Sequence, residues 1–150
     1  MGQYEIAKEL IQLSRECKAD YAKFQKRNSR ELLTEEQYNA PHPVPHNAYG
    51  PPYGAHREYL ELSQEQHADL KKYAESIGIG YSTSVWDVTS AREIIELQPD
   101  FIKVPSACNN NFTMLGLLRD TYEGDIHVSS GMTTLEELEA LVSFFEESGQ

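Results

Sequence analysis

Two lysines stand where a buried strand should carry apolar side chains: Lys23 within Tyr21-Ala22-Lys23-Phe24-Gln25, and Lys103 within Phe101-Ile102-Lys103-Val104. Strands of a parallel sheet are covered on both faces and read as almost continuous apolar runs. An ammonium taken out of water without an anion is costly, so a pair of them implies a negatively charged ligand. A single such lysine reads equally well as an edge-strand residue whose head snorkels to water; two in equivalent strands weigh against that. Small polar residues follow each strand: Ser82-Thr83-Ser84 ahead of Trp86-Asp87, Ser106 ahead of Asn109-Asn110-Asn111, and Ser129-Ser130-Gly131-Met132. Hydroxyls, amides and a glycine-containing turn leading into a helix suit phosphate or carboxylate oxygens. Helix capping is the plainer role for such residues, and Thr89, Thr133 and Thr134 are assigned to it. Ser84, Ser106 and Ser129 are read as anion contacts because lysines accompany them.

Holding these groups together requires strands that end side by side, and the chain alternates accordingly. A helix is predicted over Tyr4–Glu16, with Ile6, Leu10, Ile11 and Leu13 as its apolar stripe. A strand follows over Asp20–Gln25, in which alternation puts Lys23 and Gln25 on the face opposite Ala22 and Phe24. From about residue 28 to 62 the chain reads as one long irregular loop holding Pro41, Pro43, Pro45, Pro51, Pro52 and four of the nine tyrosines. A loop of that length is a lid, a binding loop or a disordered segment. Ser63-x-x-Gln66 then signals a helix running to Ser76 and stopping at Gly78. Strands recur near Gly80–Ser84, Phe101–Val104 and Ile126–Ser129, separated by helices near Thr89–Leu97 and Phe112–Tyr122. A last helix opens at Thr134-x-x-Glu137 and ends near Ser148-Gly149. Strand–helix alternation with short connections predicts parallel strands and right-handed crossovers, an α/β fold. A small open sheet and roughly half of a (β/α)8 barrel both satisfy this pattern, and the opening helix implies a missing first strand.

Composition narrows the function. The 150 residues make about one domain, residues 1–150, and thirteen Lys+Arg against twenty-four Asp+Glu give a net charge of −11. Such a body repels nucleic acid and anionic membrane, so an anion site must be local. No apolar run is long enough to span a bilayer, and Cys17 and Cys108 form neither a metal-like spacing nor a disulfide framework; a cytoplasmic chain is expected. His42, His46, His56 and His67 lie in the loop or on a polar helix and are expected to be solvated or satisfied locally. His127, alternating within a strand, is expected to be a packed core histidine, and Cys17 to pack beneath its helix. Tyr38, Tyr49, Tyr53 and Tyr59 either wall a substrate pocket or pack on their own domain.

Taken together, five segments occur in a telling order: Lys23-Phe24-Gln25; Tyr53-Gly54-Ala55-His56-Arg57 with Leu60-Glu61; Ser84-Val85-Trp86-Asp87; Phe101 to Ser106 with Asn110-Asn111-Phe112; and Ser129-Ser130-Gly131-Met132. They closely resemble the N-acetylneuraminate (sialic acid) synthase family, including its legionaminate and pseudaminate synthase relatives. The resemblance covers nearly the whole chain and part of that family's barrel, from about helix 1 to helix 5. It implies a partial (β/α)8 TIM-type barrel. The reaction it implies condenses phosphoenolpyruvate with an N-acyl amino sugar, such as N-acetylmannosamine, to a nine-carbon 2-keto sugar acid with release of phosphate. Position by position, it implies that Lys23 and Lys103 are catalytic and contact phosphoenolpyruvate together with Gln25, Ser84, Ser106 and Ser129. Asn110 is implied beside that pocket, and Asn47 at the amino sugar. Divalent manganese or magnesium is implied too, with ligands outside this chain, as is a homo-oligomer or association with missing barrel segments. Cys108 stands where several relatives carry Glu, and Ser84 where many carry Thr. Two other readings stay open: a different phosphoenolpyruvate-dependent 3-deoxy sugar acid synthase, and a truncated anion-binding chain or split-barrel subunit without catalysis.

Overall fold

A computed structural model describes residues 3–146. Helix α1 (Tyr4–Glu16) buries Ala7 and Ile11, and it packs beside α5 (Gln64–Ser76). The predicted stripe is wider than the buried face, since Leu10 and Leu13 are 49% and 54% exposed. Helix α1 ends at Glu16, and Lys18 turns the chain at φ 62°. Cys17 is thereby carried into solvent, not beneath the helix as expected.

Strand β1 (Tyr21–Lys26) leads into the stretch read as irregular, which is instead built from short helices. These are α2 (Ser29–Leu32), α3 (Glu35–Asn39), a 3-10 turn at Pro45–Asn47, and α4 (Tyr53–Tyr59). Asn28 caps α2 by accepting from the Arg30 amide, and Thr34 caps α3 reciprocally with Gln37. The Tyr38 ring is buried against Gly54, where a Cβ would lie 2.1 Å from the ring, so only glycine admits this packing. The Arg30 guanidinium covers the same ring at 3.5 Å. The proline- and tyrosine-rich stretch packs on itself: Tyr49 stacks on Tyr59 and on His56. At the return end Lys26 Nζ donates to the Leu62 carbonyl, and Arg27 pairs with Glu61 at 2.8 Å, tying the stretch back to β1.

Beyond it the predicted elements hold to within a residue or two: α5, β2 (Gly80–Val85), α6 (Val88–Ile95), β3 (Phe101–Val104), α7 (Phe112–Thr121), β4 (Asp125–Val128) and α8 (Leu135–Glu146). The predicted end of α8 near Ser148-Gly149 lies outside the described residues. Thr134 caps α8 with Glu137, but Thr89 caps nothing: Asp87 is the N-cap of α6 and accepts from the Ser90 amide. Thr133 instead accepts from Asn109 Nδ2 at 2.6 Å.

The strands form one parallel sheet in the order β1-β2-β3-β4. Ala22, Tyr81, Val85, Ile102 and Val104 point to the helices and join two apolar cores, one with Ile11, Leu70 and Ala74, the other with Ile94, Met114 and Leu118. Neither core includes the alternate residues Lys23, Gln25, Ser82, Ser84, Lys103 or His127. This is an α/β fold with one apolar and one polar sheet face. His67, expected to be solvated or locally satisfied, is fully buried on the apolar side. Its Nδ1 lies 2.7 Å from the Tyr81 hydroxyl, and its Nε2 has no partner.

Candidate functional site: a polar row across the sheet

Strand register builds the site. Gln25 is paired with Ser84, Ser84 with Lys103, and Lys103 with His127, so one row of polar side chains crosses all four strands. Neighbouring strands lie about 4.8 Å apart, so this row concentrates its donors within a small molecule's span. One step nearer the strand N-termini, Lys23 is paired with Ser82, but its side chain climbs to the next row, where Nζ donates to Ser84 Oγ at 3.1 Å. Ser84 is buried, whereas Lys23 is an exposed residue of β1 whose ammonium is drawn onto Ser84. Burial first, then the Lys103 ammonium, hold Lys23 below the ordinary lysine range. No acidic side chain is paired with either lysine among the described residues. Two ammoniums facing one another without a counter-ion favour an anion of two or more charges between them.

The other predicted residues assemble at the strand ends to different degrees. The Ser129 amide donates to the Val104 carbonyl, prolonging the β3–β4 pairing past β4. This brings the Ser129 turn beside the 3-10 turn Ser106–Cys108, so close that a Cβ on Gly131 would lie 3.3 Å from the Ser106 Cβ. Asn109, to which no role was assigned, holds that corner: its Nδ2 donates to the Ser129 carbonyl at 3.0 Å as well as to Thr133. Asn110 is exposed beside it, while Asn111 caps α7 through the Met114 amide. Asn47 is exposed at the end of the loop's 3-10 turn, and no hydrogen bond joins it to the strand-end group among the described residues. A cleft of about 240 Å³ opens next to Lys23 and Gln25, closed by Arg27, Leu60 and Glu61. A larger cavity of about 580 Å³ lies away from the lysines, between β4 and α8, and is walled by Ile126, Leu138, Leu141 and Phe145.

Two residues beneath the site were legible in sequence but not given their work. Asp87 is buried and accepts from the Asn28 amide, the Ser90 amide and the Ser90 hydroxyl at 2.7 to 2.9 Å. It thus fastens the end of β1 to the end of β2. Burial pushes its carboxyl up despite those hydrogen bonds. Cys108 donates its thiol to the Trp86 carbonyl at 3.2 Å; burial, then Asp87, push that thiol up, which suits packing more than nucleophilic chemistry. His127 is exposed on the polar face and stacked on Phe101 at 4.2 Å, in place of the packed core histidine expected. Its side chain alternates away from Ile126 and Val128, and the core lies on their side.

Fold and site define an α/β protein whose parallel strands carry a row of polar side chains, with Lys23 and Lys103 among them, on one face of the sheet. Residues 10–150 match the model of the NeuB family, and the chain belongs to that family. It is 34% identical over 136 residues to human N-acetylneuraminate-9-phosphate synthase, covering 90% of this chain and 37% of that protein. To the N,N'-diacetyllegionaminic acid synthase of Campylobacter jejuni it is 25% identical over 148 residues, covering 99% of this chain and 44% of that one. The fold is similar to that of the N-acetylneuraminic acid synthetase of Leptospira borgpetersenii, solved in complex with citrate. The TM-score is 0.81 at 22% identity, over 99% of this chain and 47% of that one. It is also similar to a phospho-2-dehydro-3-deoxyheptonate aldolase of Thermotoga maritima, with a TM-score of 0.67 at 15% identity, over 99% and 36% of the two chains. The chain therefore spans less than half the length of these relatives.

Proposed function

We propose that these residues form the phosphoenolpyruvate half of a (β/α)8 synthase barrel that makes a nine-carbon 2-keto sugar acid from an N-acyl amino sugar. The observation that carries this reading is a pair of lysines without an acidic partner on one sheet face, Lys23 donating to Ser84 and Lys103 paired with Ser84 in strand register. Phosphoenolpyruvate carries a carboxylate and a phosphate on adjacent groups, and two ammoniums with Gln25, Ser84, Ser106 and Ser129 match that charge and size. In the proposed reaction the enolpyruvate C3 forms a bond to the aldehyde carbon, whose oxygen gains a proton. Water adds at C2, and the tetrahedral product collapses by breaking the C2–O bond to phosphate, leaving the 2-keto acid. Lys23 and Lys103 hold the anionic groups and stabilise charge that shifts onto the departing phosphate.

Divalent manganese or magnesium has no ready seat here. Among the described residues no three His, Cys, Asp or Glu side chains stand together as a ligand set, so ligands for such a metal would come from other segments. Strands β1 and β4 are sheet edges, and Met132 and Leu135 are 88% and 71% exposed, which supports association with a second copy or with further barrel segments. The test is phosphate release, assayed with phosphoenolpyruvate and N-acetylmannosamine against arabinose 5-phosphate and erythrose 4-phosphate, in the enzyme that carries this chain. Release with the amino sugar, and a KM for phosphoenolpyruvate raised by Lys103→Ala, are expected. Unchanged kinetics for phosphoenolpyruvate in that variant would sink the reading.

A further inference from the structure

The polar row does not stop at the lysines. Its fourth member is His127 on β4, paired directly with Lys103, with a side chain on the same face as Lys23 and Ser84. Neither ring nitrogen has a hydrogen-bond partner among the described residues, and the ring is exposed. Its orientation is nevertheless fixed. One row lower, Phe101 stacks beneath His127 at 4.2 Å with ring planes 17° apart, and Tyr21, a further row down, meets Phe101 edge-on at 5.1 Å. This aromatic floor reaches from β1 to β4 only because β2 contributes Gly80, where a Cβ would lie 2.3 Å from the Tyr21 ring. A stacked imidazole presents its two nitrogens at its rim, where they can meet an incoming ligand. The charged groups facing His127 on its own and the adjoining strand are Lys103 on β3 and Asp125 two residues back on β4. Phe101 occupies one face of the ring, and Lys103 is the residue paired with His127 across the β3–β4 register, on the same face of the sheet.

We propose that His127 is a third ligand for the anion: an imidazole N–H that donates to the carboxylate or phosphate held by Lys103. This rests on the phosphoenolpyruvate reading of the same pocket and extends it to a residue type that sets how firmly, and at which pH, the anion is held. Binding favours the doubly protonated ring, since a cationic donor makes the stronger hydrogen bond.

The test separates this from packing. His127→Phe keeps the stack on Phe101 and removes both nitrogens, so a merely structural role survives it. Calorimetric titration of phosphoenolpyruvate into the unaltered chain, His127→Phe and Lys103→Ala is paired with NMR of the His127 ring as pH is varied. The expected result is a Kd raised about tenfold or more in His127→Phe, about 1.4 kcal/mol, with an unchanged melting temperature. The His127 ring should also titrate at higher pH when phosphoenolpyruvate is bound. If His127→Phe binds as tightly as the unaltered chain, or the His127 titration does not move at saturation, the inference is overturned. The synthase reading then stands provided Lys103→Ala still weakens binding. No binding by the unaltered chain overturns both.

Discussion

Acid should unfold this protein through His67 before the carboxylates account for it. His67 lies fully buried between α5 and β2, with Nδ1 against the Tyr81 hydroxyl. Burial, then the charge of Lys26, hold it at about 4, down from its ordinary 6.5. The unfolded chain takes up a proton on this ring below pH 6.5, whereas the folded chain stays neutral until about pH 4. Stability is therefore lost as pH falls through that window, by up to about 3 kcal/mol at 1.36 kcal/mol per pH unit, and is untouched by this group above it. The measurement is the denaturant midpoint followed by the fluorescence of Trp86, the single tryptophan, at several pH values across the window. Comparison with His67→Gln cancels every other titrating group, including Asp87, whose raised carboxyl acts in the opposite direction. The unaltered protein should lose stability more steeply than the variant between these limits. Parallel losses would refute the reasoning, because His67 would then be protonated, or exposed, in the folded state.

Asp87→Ala removes three hydrogen bonds and the cap of α6, and it should lower stability by about 2 kcal/mol or more in denaturant unfolding. Asp87→Asn, which keeps an acceptor, should lose less; equal losses would mean that the cap is not the source. Gly54→Ala forces the buried Tyr38 ring aside and should destabilise by about 1–3 kcal/mol, with faster proteolysis confined to residues 28–62. An unchanged cleavage rate there would contradict the packing described.

Local chemistry was the most legible part of this chain. The 13 residues of α1, the capping box at Ser63 and the alternation that sets Lys23 opposite Phe24 are short-range signals, and each stands in the structure. What sequence does not carry is register. That Ser84 lies between Gln25 and Lys103, or that His127 completes the row, depends on how β2, β3 and β4 slide past one another. The 28–62 stretch was misjudged because its helices are four to seven residues long, too short for periodicity. Their caps were nonetheless present, Thr34-x-x-Gln37 above all. His67 was misjudged because α5 is polar overall, although His67, Leu70 and Ala74 share the one face that is buried.

The central claim is that a multiply charged anion sits between two lysines that otherwise lack a counter-ion. It is tested most directly by following the Lys23 side chain by NMR through its titration, with and without phosphoenolpyruvate. In the free protein Lys23 should titrate below the ordinary lysine range, held there by burial and by Lys103. With phosphoenolpyruvate bound it should titrate at higher pH, because the anion reverses the repulsion between the two ammoniums. A Lys23 titration that is the same in both states would contradict the claim and, with it, the placement of the substrate on this face of the sheet.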